Sequence, residues 1–159
     1  MDKFRLENAT MNDLDDMVLI YNSNPVFLRN HLGVETITTD FIRNEIEQMI
    51  EIGFESLFII DDKNEKIGFC DIKIGEETYL SLLMLDKKAH GMGYGKEILQ
   101  QIERMLIERN AQRVRIDVVN DYKDNVVSFW IKHGYMEMET IKLEWNGYHS
   151  TAVKMYKFL

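Results

Sequence analysis

Glycines at alternate positions, Gly91, Gly93 and Gly95, form the most informative chemical pattern in the chain. They follow a run of apolar residues and precede a stretch with apolar residues at helical spacing. Unpaired backbone N–H groups are therefore expected to converge at the positive end of a helix dipole. Glycine also lets the backbone approach a phosphate closely. The pattern favours a phosphate-binding loop over a plain tight turn between a strand and a helix.

Two common nucleotide-binding loops do not fit this segment. A Walker loop requires serine or threonine after its lysine, whereas Lys96 is followed by Glu97, and position 90 is not glycine. A dinucleotide fingerprint reads G-x-G-x-x-G near the start of a βαβ unit, whereas these glycines are spaced G-x-G-x-G in mid-chain. The loop is therefore expected to bind another phosphate-containing ligand.

The elements around the loop follow from hydrophobic periodicity and turn signals. Strands are predicted over 4–7, 56–60, 66–74, 78–85, 114–119, 135–145 and 148–158, and helices over 12–21, 39–53, 93–109 and 124–133. Pro25 lies in a loop signal between the first two helices, and Asn146-Gly147 predicts a hairpin. Strand, loop, helix and strand around the glycines imply one right-handed crossover and a parallel pair. The predicted class is mixed α+β.

The segment from Leu85 to Gly95 resembles the signature of the GNAT superfamily of acetyl-CoA-dependent N-acetyltransferases. That signature, V-x-P-x-x-[RQ]-x-x-G-x-[GA], aligns without a gap and matches at Gly93 and Gly95. The chain departs from it at Lys87, where proline is common, and at His90, where Arg or Gln is usual. Both replacements still offer donors to a phosphate.

Residues 126–135 resemble a second GNAT motif on the helix after the second parallel strand. The motif reads N-x-x-A-x-x-[LF]-Y-x-[KR]-x-G-[FY], and it matches here at Phe129, Lys132, Gly134 and Tyr135. Its tyrosine position holds Trp130. Its asparagine position holds Lys123, with Asn125 two residues later. The two motifs occur in the family's order and spacing.

The resemblance implies a single N-acetyltransferase domain over residues 1–159. Its sheet would be mixed and mostly antiparallel, with about seven strands, one splayed parallel pair that admits the pantetheine arm, and about four flanking helices. The implied reaction transfers acetyl from acetyl-CoA to a primary amine. A small amine, a polyamine, an aminoglycoside-like compound and a protein N-terminus or lysine all stay open as acceptors. The alternative is a non-catalytic acyl-CoA-binding sensor or interaction domain, because the motif's tyrosine is missing.

Carried over residue by residue, the resemblance assigns a cofactor-binding set consisting of Met84, Leu85, His90, Gly91, Met92, Gly93, Tyr94, Gly95, Lys96, Asn125, Ser128, Trp130 and Lys132. In this family a backbone N–H on the strand before the loop contacts the acetyl carbonyl, which implies Met84 or Leu85. An amine must also lose a proton before it attacks, because lysine's reference pKa is ~10.4. Glu77 is the candidate base, with Glu76 and Glu144 as alternatives, although all three could be solvated surface residues.

Protonation of the leaving thiolate has no obvious donor in the sequence. Trp130 replaces the family's tyrosine, and an indole N–H can stabilise a thiolate but cannot protonate it. Tyr122 and Tyr135 are possible substitutes, with core packing as the alternative for Tyr135. Release of the thiolate directly to solvent is a further alternative.

Composition excludes several other classes. A net charge of −8, from 27 acidic and 19 basic residues, argues against a nucleic-acid partner. No apolar run approaches the ~20 residues of a membrane span, and no secretion signal begins the chain, so we expect a cytoplasmic protein without membrane association. Cys70 is the single cysteine and is expected to be buried, and the four histidines have no metal-ligand spacing, so no metal is predicted. Apolar residues at Trp145, Tyr148 and 155–159 are consistent with a homodimer.

Overall fold

The computed structural model describes residues 2–159 and contains one seven-stranded sheet. The strands are β1 (Arg5–Asn8), β2 (Glu55–Ile60), β3 (Lys66–Lys73), β4 (Glu77–Leu85), β5 (Arg113–Val119), β6 (Met136–Trp145) and β7 (Tyr148–Phe158). The helices are α1 (Leu14–Asn22), α2 (Pro25–Leu32), α3 (Thr39–Glu51), α4 (Tyr94–Glu108) and α5 (Val127–Lys132). Short 3-10 turns occur at Met11–Asp13 and Lys87–Ala89. The predicted α+β class is confirmed.

The strand order β1-β2-β3-β4-β5-β7-β6 contains a single parallel pair, β4 with β5. Those two strands pair only where Glu77, Thr78 and Tyr79 face Arg113, Val114 and Arg115. Beyond that point β4 runs on to Leu85 and β5 to Val119 without pairing to each other. The sheet is therefore open between its two central strands, as the predicted splayed pair requires.

A β-bulge in β4 lies just past the paired region. Asp71 faces Leu82 and Ile72 faces Leu80, so Ser81 is the extra residue. A bulge changes which side chains point to each face and increases the local twist. Leu80 accordingly packs with the core under α4, whereas Leu82 packs with the core under α1–α3. The bulge thus begins the stretch of β4 that diverges from β5.

Two hydrophobic clusters cover the two faces of the sheet. On one face, α4 buries Ile98, Ile102 and Leu106 against the sheet; we call this the α4 face. On the other, α1–α3 bury residues such as Met17 and Ile42; we call this the α1–α3 face. Within residues 2–159, no helix combines the length and the hydropathy that crossing a membrane requires.

One element differs from the sequence-based expectation. Pro25, predicted to lie in a loop, is instead the first residue of α2. Proline suits that position because the first helical N–H has no partner within the helix in any case. The helix ends at Gly33, whose left-handed φ of 73° suits glycine. Helix α2 therefore covers part of the α1–α3 face.

Candidate active site

A cavity of about 950 Å³ passes through the sheet at the gap between β4 and β5. Its lining on the α4 face includes Ile116 and Trp130, which pack with the core under α4. Its lining on the α1–α3 face includes Tyr21, Ile42 and Asp71. Ligands bound on opposite faces of the sheet could therefore meet in this gap.

The glycine loop borders the cavity on the α4 face. Gly91 and Gly93 have φ values of 72° and 76°, a conformation that other residues resist. A Cβ added at either glycine would meet no atom within 4 Å, so this side of the backbone is open. Gly93 is the N-cap of the 15-residue helix α4, and no side chain of residues 2–159 caps that helix. Its first N–H groups are thus available to an anion.

Gly95 has a different environment from the other two loop glycines. A Cβ at Gly95 would lie 2.9 Å from Cε2 of Phe129 on α5. The glycine therefore allows α4 and α5 to approach closely, a packing role in addition to its predicted contact with the cofactor. Gly95 still lines the cavity.

Backbone groups of β4 face the gap in alternation. The N–H of Asp86 donates to the Ile67 carbonyl on β3 at 2.8 Å. Because backbone groups alternate in direction along a strand, those of Met84 also face β3, whereas those of Leu83 and Leu85 face the gap. Of the two residues predicted to supply an N–H to the acetyl carbonyl, Leu85 has the required direction. Met84 instead contributes a buried side chain to the α1–α3 face.

The carbonyl of Leu85 already has two donors. Asn24 Nδ2 lies 2.9 Å from it and His90 Nε2 lies 3.0 Å from it. Because a carbonyl oxygen can only accept, Nε2 of His90 carries a proton and donates to the Leu85 carbonyl at the end of β4. Asn24 is buried and also donates to the Ile20 carbonyl on α1 at 2.9 Å, so its side chain connects α1 to the end of β4. No motif in the sequence identifies Asn24 for this position.

Eight of the residues predicted to bind the cofactor line the cavity: Met84, Leu85, His90, Gly91, Gly93, Tyr94, Gly95 and Trp130. Four are exposed outside it: Met92, Lys96, Ser128 and Lys132. Asn125 also lies outside the cavity. Its Nδ2 donates to the Tyr122 carbonyl at 2.8 Å and its Oδ1 accepts from the Val127 N–H at 3.2 Å, so it shapes the start of α5.

The carboxylates proposed from sequence as the general base are not brought to the cavity. Glu77 lies in the paired part of β4 and forms an ion pair with Arg113. It precedes Leu85 by eight residues, roughly 25 Å along a strand. Glu76 and Glu144 are exposed and do not line the cavity either.

Of the three aromatic candidates for the general acid, Trp130 and Tyr122 line the cavity and Tyr135 does not. Trp130 is buried and lines the cavity, with its ring 5.0 Å from that of Tyr135. Tyr135 is buried and its hydroxyl donates to Glu103 Oε1 at 3.2 Å. Burial, together with Glu103, raises the pKa of Tyr135 far above its usual value. Tyr122 is half-buried and lines the cavity, and burial raises its pKa as well.

Asp71 is a cavity-lining carboxyl group that sequence reasoning missed. It is 2% exposed, and its Oδ1 accepts a hydrogen bond from Ser56 Oγ at 2.5 Å. Burial raises the pKa of Asp71 to about 7, with the Ser56 hydrogen bond acting in the opposite direction. The sequence did contain a sign of this residue, because Asp71 is an acidic residue within the apolar strand β3. Carboxyl groups are rarely buried unless they have a partner.

His31 is a second titratable group at the cavity. Its Nδ1 donates to the Phe27 carbonyl at 2.8 Å, and its ring stacks on that of Phe27 with centroids 3.8 Å apart. This hydrogen bond leaves Nε2 as an acceptor. Burial holds the pKa of His31 below its usual value, so the ring is neutral at pH 7.

Trp145 and Glu45 line the cavity on the α1–α3 face. The indole Nε1 of Trp145 donates to Glu45 Oε2 at 3.0 Å, and its ring packs near Tyr21 at 6.3 Å. Trp145 is therefore part of the cavity wall. Met155 is buried too, so the expectation of a homodimer now rests mainly on Tyr148 and Phe158, which are 37% and 66% exposed.

The splayed parallel strands, the glycine loop at the start of α4 and the through-sheet cavity define an acyltransferase. The sequence profile of the family described as "Acetyltransferase (GNAT) domain" matches residues 28–157. The chain therefore belongs to the GNAT acetyltransferase family, which confirms the resemblance found in its motifs.

Solved structures share this fold at low sequence identity. An acetyltransferase from Thermus thermophilus superposes with a TM-score of 0.77 at 19% identity over 100% of both chains. The spermidine N-acetyltransferase of Vibrio cholerae, in complex with CoA and spermine, has a TM-score of 0.76 at 14% identity, covering 98% of this chain and 95% of that one. A ribosomal-protein-alanine N-acetyltransferase from Brucella melitensis gives 0.70 at 18%, covering 98% and 99%. Comparison with curated protein sequences finds no significant match.

Proposed function

We propose that the protein transfers the acetyl group of acetyl-CoA to a primary amine of a small molecule or a protein. The observation that carries this proposal is the open gap between β4 and β5, with the glycine loop at one side of it and the buried carboxyl of Asp71 on the other. Two substrates of different chemistry can thus meet in one cavity. The low cysteine content fits the expected cytoplasmic location, where thiols stay reduced.

The residues at the loop fit the phosphates of CoA. Gly91 and Gly93 present an unobstructed backbone, and the uncapped start of α4 adds N–H groups and the positive end of a dipole. Lys96 and Lys132 are exposed on α4 and α5 and are our candidates for the 3′-phosphate. Acetyl-CoA would supply an activated thioester for attack by the amine.

The chain's own groups can serve the other chemical needs of the transfer. The N–H of Leu85 faces the gap and is suited to polarise the acetyl carbonyl. Trp130 lines the same cavity and can donate an indole hydrogen bond to the departing sulfur. Tyr122 also lines the cavity and is the remaining phenol that could supply a proton there.

A panel of primary amines incubated with acetyl-CoA tests this function through release of free thiol, with CoA affinity measured by calorimetry. We expect CoA binding and turnover of at least one amine. Failure to bind CoA would contradict the cofactor assignment. Tight binding without turnover of any amine would instead favour an acyl-CoA-binding sensor.

The 3′-phosphate contact has its own test in thermal stability. A ligand that binds only the native state at a hundredfold excess over Kd adds about 2.7 kcal/mol of stability. We expect dephospho-CoA at the same concentration to raise Tm less than CoA, and the difference to vanish in a Lys96→Ala, Lys132→Ala double variant. Equal shifts by both ligands in the unsubstituted protein would exclude this contact.

A further inference from the structure

We propose that Asp71 is the catalytic residue that receives the acceptor: its unpaired oxygen binds the acceptor's ammonium group and takes one of its protons. The apolar walls around it further select a compact amine that carries no carboxylate of its own. This inference rests on the proposed acetyl transfer and names the base and the acceptor class of the same site.

The fold directs Asp71 towards the acceptor side of the gap. It follows Phe69 by two residues on β3, so both side chains point to the α1–α3 face, where the ring of Phe69 lies 5.3 Å from that of Tyr21. Its cross-strand partner is Leu82 on β4, next to Leu83, whose backbone faces the gap. The carboxyl group is thus one strand spacing from the gap, about 4.8 Å. An ammonium group or one water molecule can bridge this distance.

One oxygen of Asp71 is free for a ligand. Oδ1 accepts from Ser56, whereas Oδ2 has no hydrogen-bond partner among residues 2–159. Every fully occluded side-chain nitrogen or oxygen in the described chain does have a partner. Oδ2 therefore opens to the cavity, which Asp71 lines. A buried carboxylate without a cation is unfavourable, so an ammonium group would complete the site.

The electrostatic surroundings of Asp71 favour a cation as well. Tyr21 on α1 is close enough to interact with Asp71 and with Glu45 on α3, and Cys70, the preceding residue on β3, interacts with Asp71 and with Glu55 on β2. Burial raises the pKa of Tyr21 and of Cys70 well above their usual values, so both are neutral at pH 7. None of the ion pairs within residues 2–159 includes Asp71. With a pKa of about 7, Asp71 can be ionised to bind the ammonium group and can also accept its proton.

The walls of this chamber restrict the rest of the acceptor. Apolar side chains surround Asp71 on the α1–α3 face: Tyr21, Ile42, Ile46, Met49, Leu82 and Trp145. Two other carboxylates of the cavity already have partners: Glu45 accepts from the indole of Trp145. Asp117 on β5 accepts from Arg115 and from the hydroxyl of Tyr79. An apolar body next to the ammonium group therefore has favourable contacts. A carboxylate next to it would lie unpaired against Asp71 and Glu45, which repel it.

The proposed step conserves atoms and charge. The ammonium nitrogen gives one proton to Oδ2 of Asp71 and forms the C–N bond at the thioester carbonyl carbon. The C–S bond breaks with its electron pair on sulfur, which receives the nitrogen's second surplus proton. Asp71 then releases its proton to solvent. The products are the N-acetylated amine, CoA thiol and one proton.

The primary test is Asp71→Asn, in which the amide oxygen can still accept from Ser56. We expect kcat/KM for the amine to fall by about 10²–10⁴-fold, the usual contribution of a general base, with CoA affinity unchanged. In the unsubstituted enzyme kcat/KM should rise with pH through about 7, where Asp71 ionises. This rise of kcat/KM near pH 7, the pH limb, should be absent from Asp71→Asn.

Two control variants change other titratable residues of the same cavity. Glu45→Gln removes a second cavity carboxylate but keeps an acceptor for Trp145, and His31→Gln removes a cavity histidine. Both should retain the pH limb near 7 and stay within about tenfold of the parent rate, less than a general base contributes. Loss of the limb in either control, with Asp71→Asn unaffected, would overturn the assignment.

Ser56→Ala provides a second test, which does not depend on the folding of Asp71→Asn. The Ser56 hydrogen bond lowers the pKa of Asp71, so its removal should move the limb to higher pH. An unchanged limb would overturn the proposal.

The acceptor class is tested with paired substrates, phenethylamine against phenylalanine and isoamylamine against leucine. We expect kcat/KM to be at least tenfold higher for each amine than for its amino acid, and this preference to shrink in Asp71→Asn. Equal use of both members of a pair would overturn the class assignment. A parent enzyme that turns over no amine at all would instead refute the proposed acetyl transfer.

Discussion

The two halves of the cavity are built from different parts of the chain. On the cofactor side, the groups suited to bind are backbone N–H groups of the loop, of β4 and of the start of α4. On the acceptor side it is the side chain of Asp71 on β3, in a chamber walled by residues such as Ile42 on α3 and Trp145 on β6. Backbone groups constrain the sequence only where glycine is required. A side-chain site can change with single substitutions, so the acceptor side is the more adaptable half.

The largest expected effect on cofactor binding separates two glycines of the same loop. Gly93→Ala puts a Cβ on the open side of the backbone and requires a positive φ that non-glycine residues resist. We expect CoA affinity to fall by more than about tenfold, the equivalent of 1.4 kcal/mol, with a folded domain. Calorimetry with CoA, alongside circular dichroism, measures both.

Gly95→Ala is the matched variant for that comparison. Its Cβ would press on Phe129 rather than on a ligand, so we expect a lower Tm from disturbed packing between α4 and α5, with a smaller loss of CoA affinity. The reverse order, with CoA affinity lost mainly in Gly95→Ala, would contradict our distinction between the two positions.

A second prediction concerns the stability of the acceptor side. The pKa of Asp71 is raised by folding from 3.8 to about 7, so the fold favours its protonated form. This contribution to the free energy of unfolding is fully present below about pH 4 and is lost as the pH rises through 7. Asp71→Asn keeps a neutral side chain at every pH. Its stability relative to the parent should therefore increase from pH 5 to pH 8, on the order of a few kcal/mol.

Urea unfolding of both proteins at pH 5 and pH 8 measures this difference, because the other titrating groups are shared and cancel. Parallel changes in the two proteins would show that Asp71 has an ordinary pKa. Gly93→Ala retains Asp71, so its stability should follow the parent's pH dependence.

A smaller effect is expected at the aromatic wall. Trp145→Phe keeps a ring beside Tyr21 but removes the hydrogen bond to Glu45, a loss of about 1 kcal/mol. We expect KM for the amine to rise roughly fivefold with CoA affinity unchanged. Phe158→Ala, at an exposed ring near the end of β7, is the control and should change neither. If Trp145→Phe changed the affinity for CoA rather than KM for the amine, the placement of the indole on the acceptor side would be contradicted.

A similarly small effect is expected at Trp130. Trp130→Phe removes only an indole hydrogen bond and some packing, so kcat should fall less than tenfold, below the 10²–10⁴-fold typical of general acid catalysis. Tyr122→Phe is the matched variant for the phenol that lines the same cavity. A thousandfold loss in Trp130→Phe, with CoA affinity intact, would show that the indole has a direct catalytic part.

The sequence predicted the elements around the glycine loop for the same physical reason that separates the two halves. Glycine spacing and hydrophobic periodicity are local signals, so they identified the loop, α4 and the parallel pair. The prediction failed where contacts are between distant elements. Asp71 meets Ser56 across fifteen residues and Asn24 meets Leu85 across sixty-one. Glu77 lies on β4, the strand that borders the gap, but in the part of it that pairs with β5.

The through-sheet cavity also determines the kinetic order that transfer should follow. Its lining includes residues of both faces of the sheet, so the donor and the acceptor can bind at the same time, and neither product has to leave before the second substrate enters. The chain's single thiol, Cys70, is fully buried and burial raises its pKa far above the usual value, which makes it a poor acyl carrier. Initial-rate plots at several fixed amine concentrations should therefore intersect, the pattern of a ternary complex, rather than run parallel.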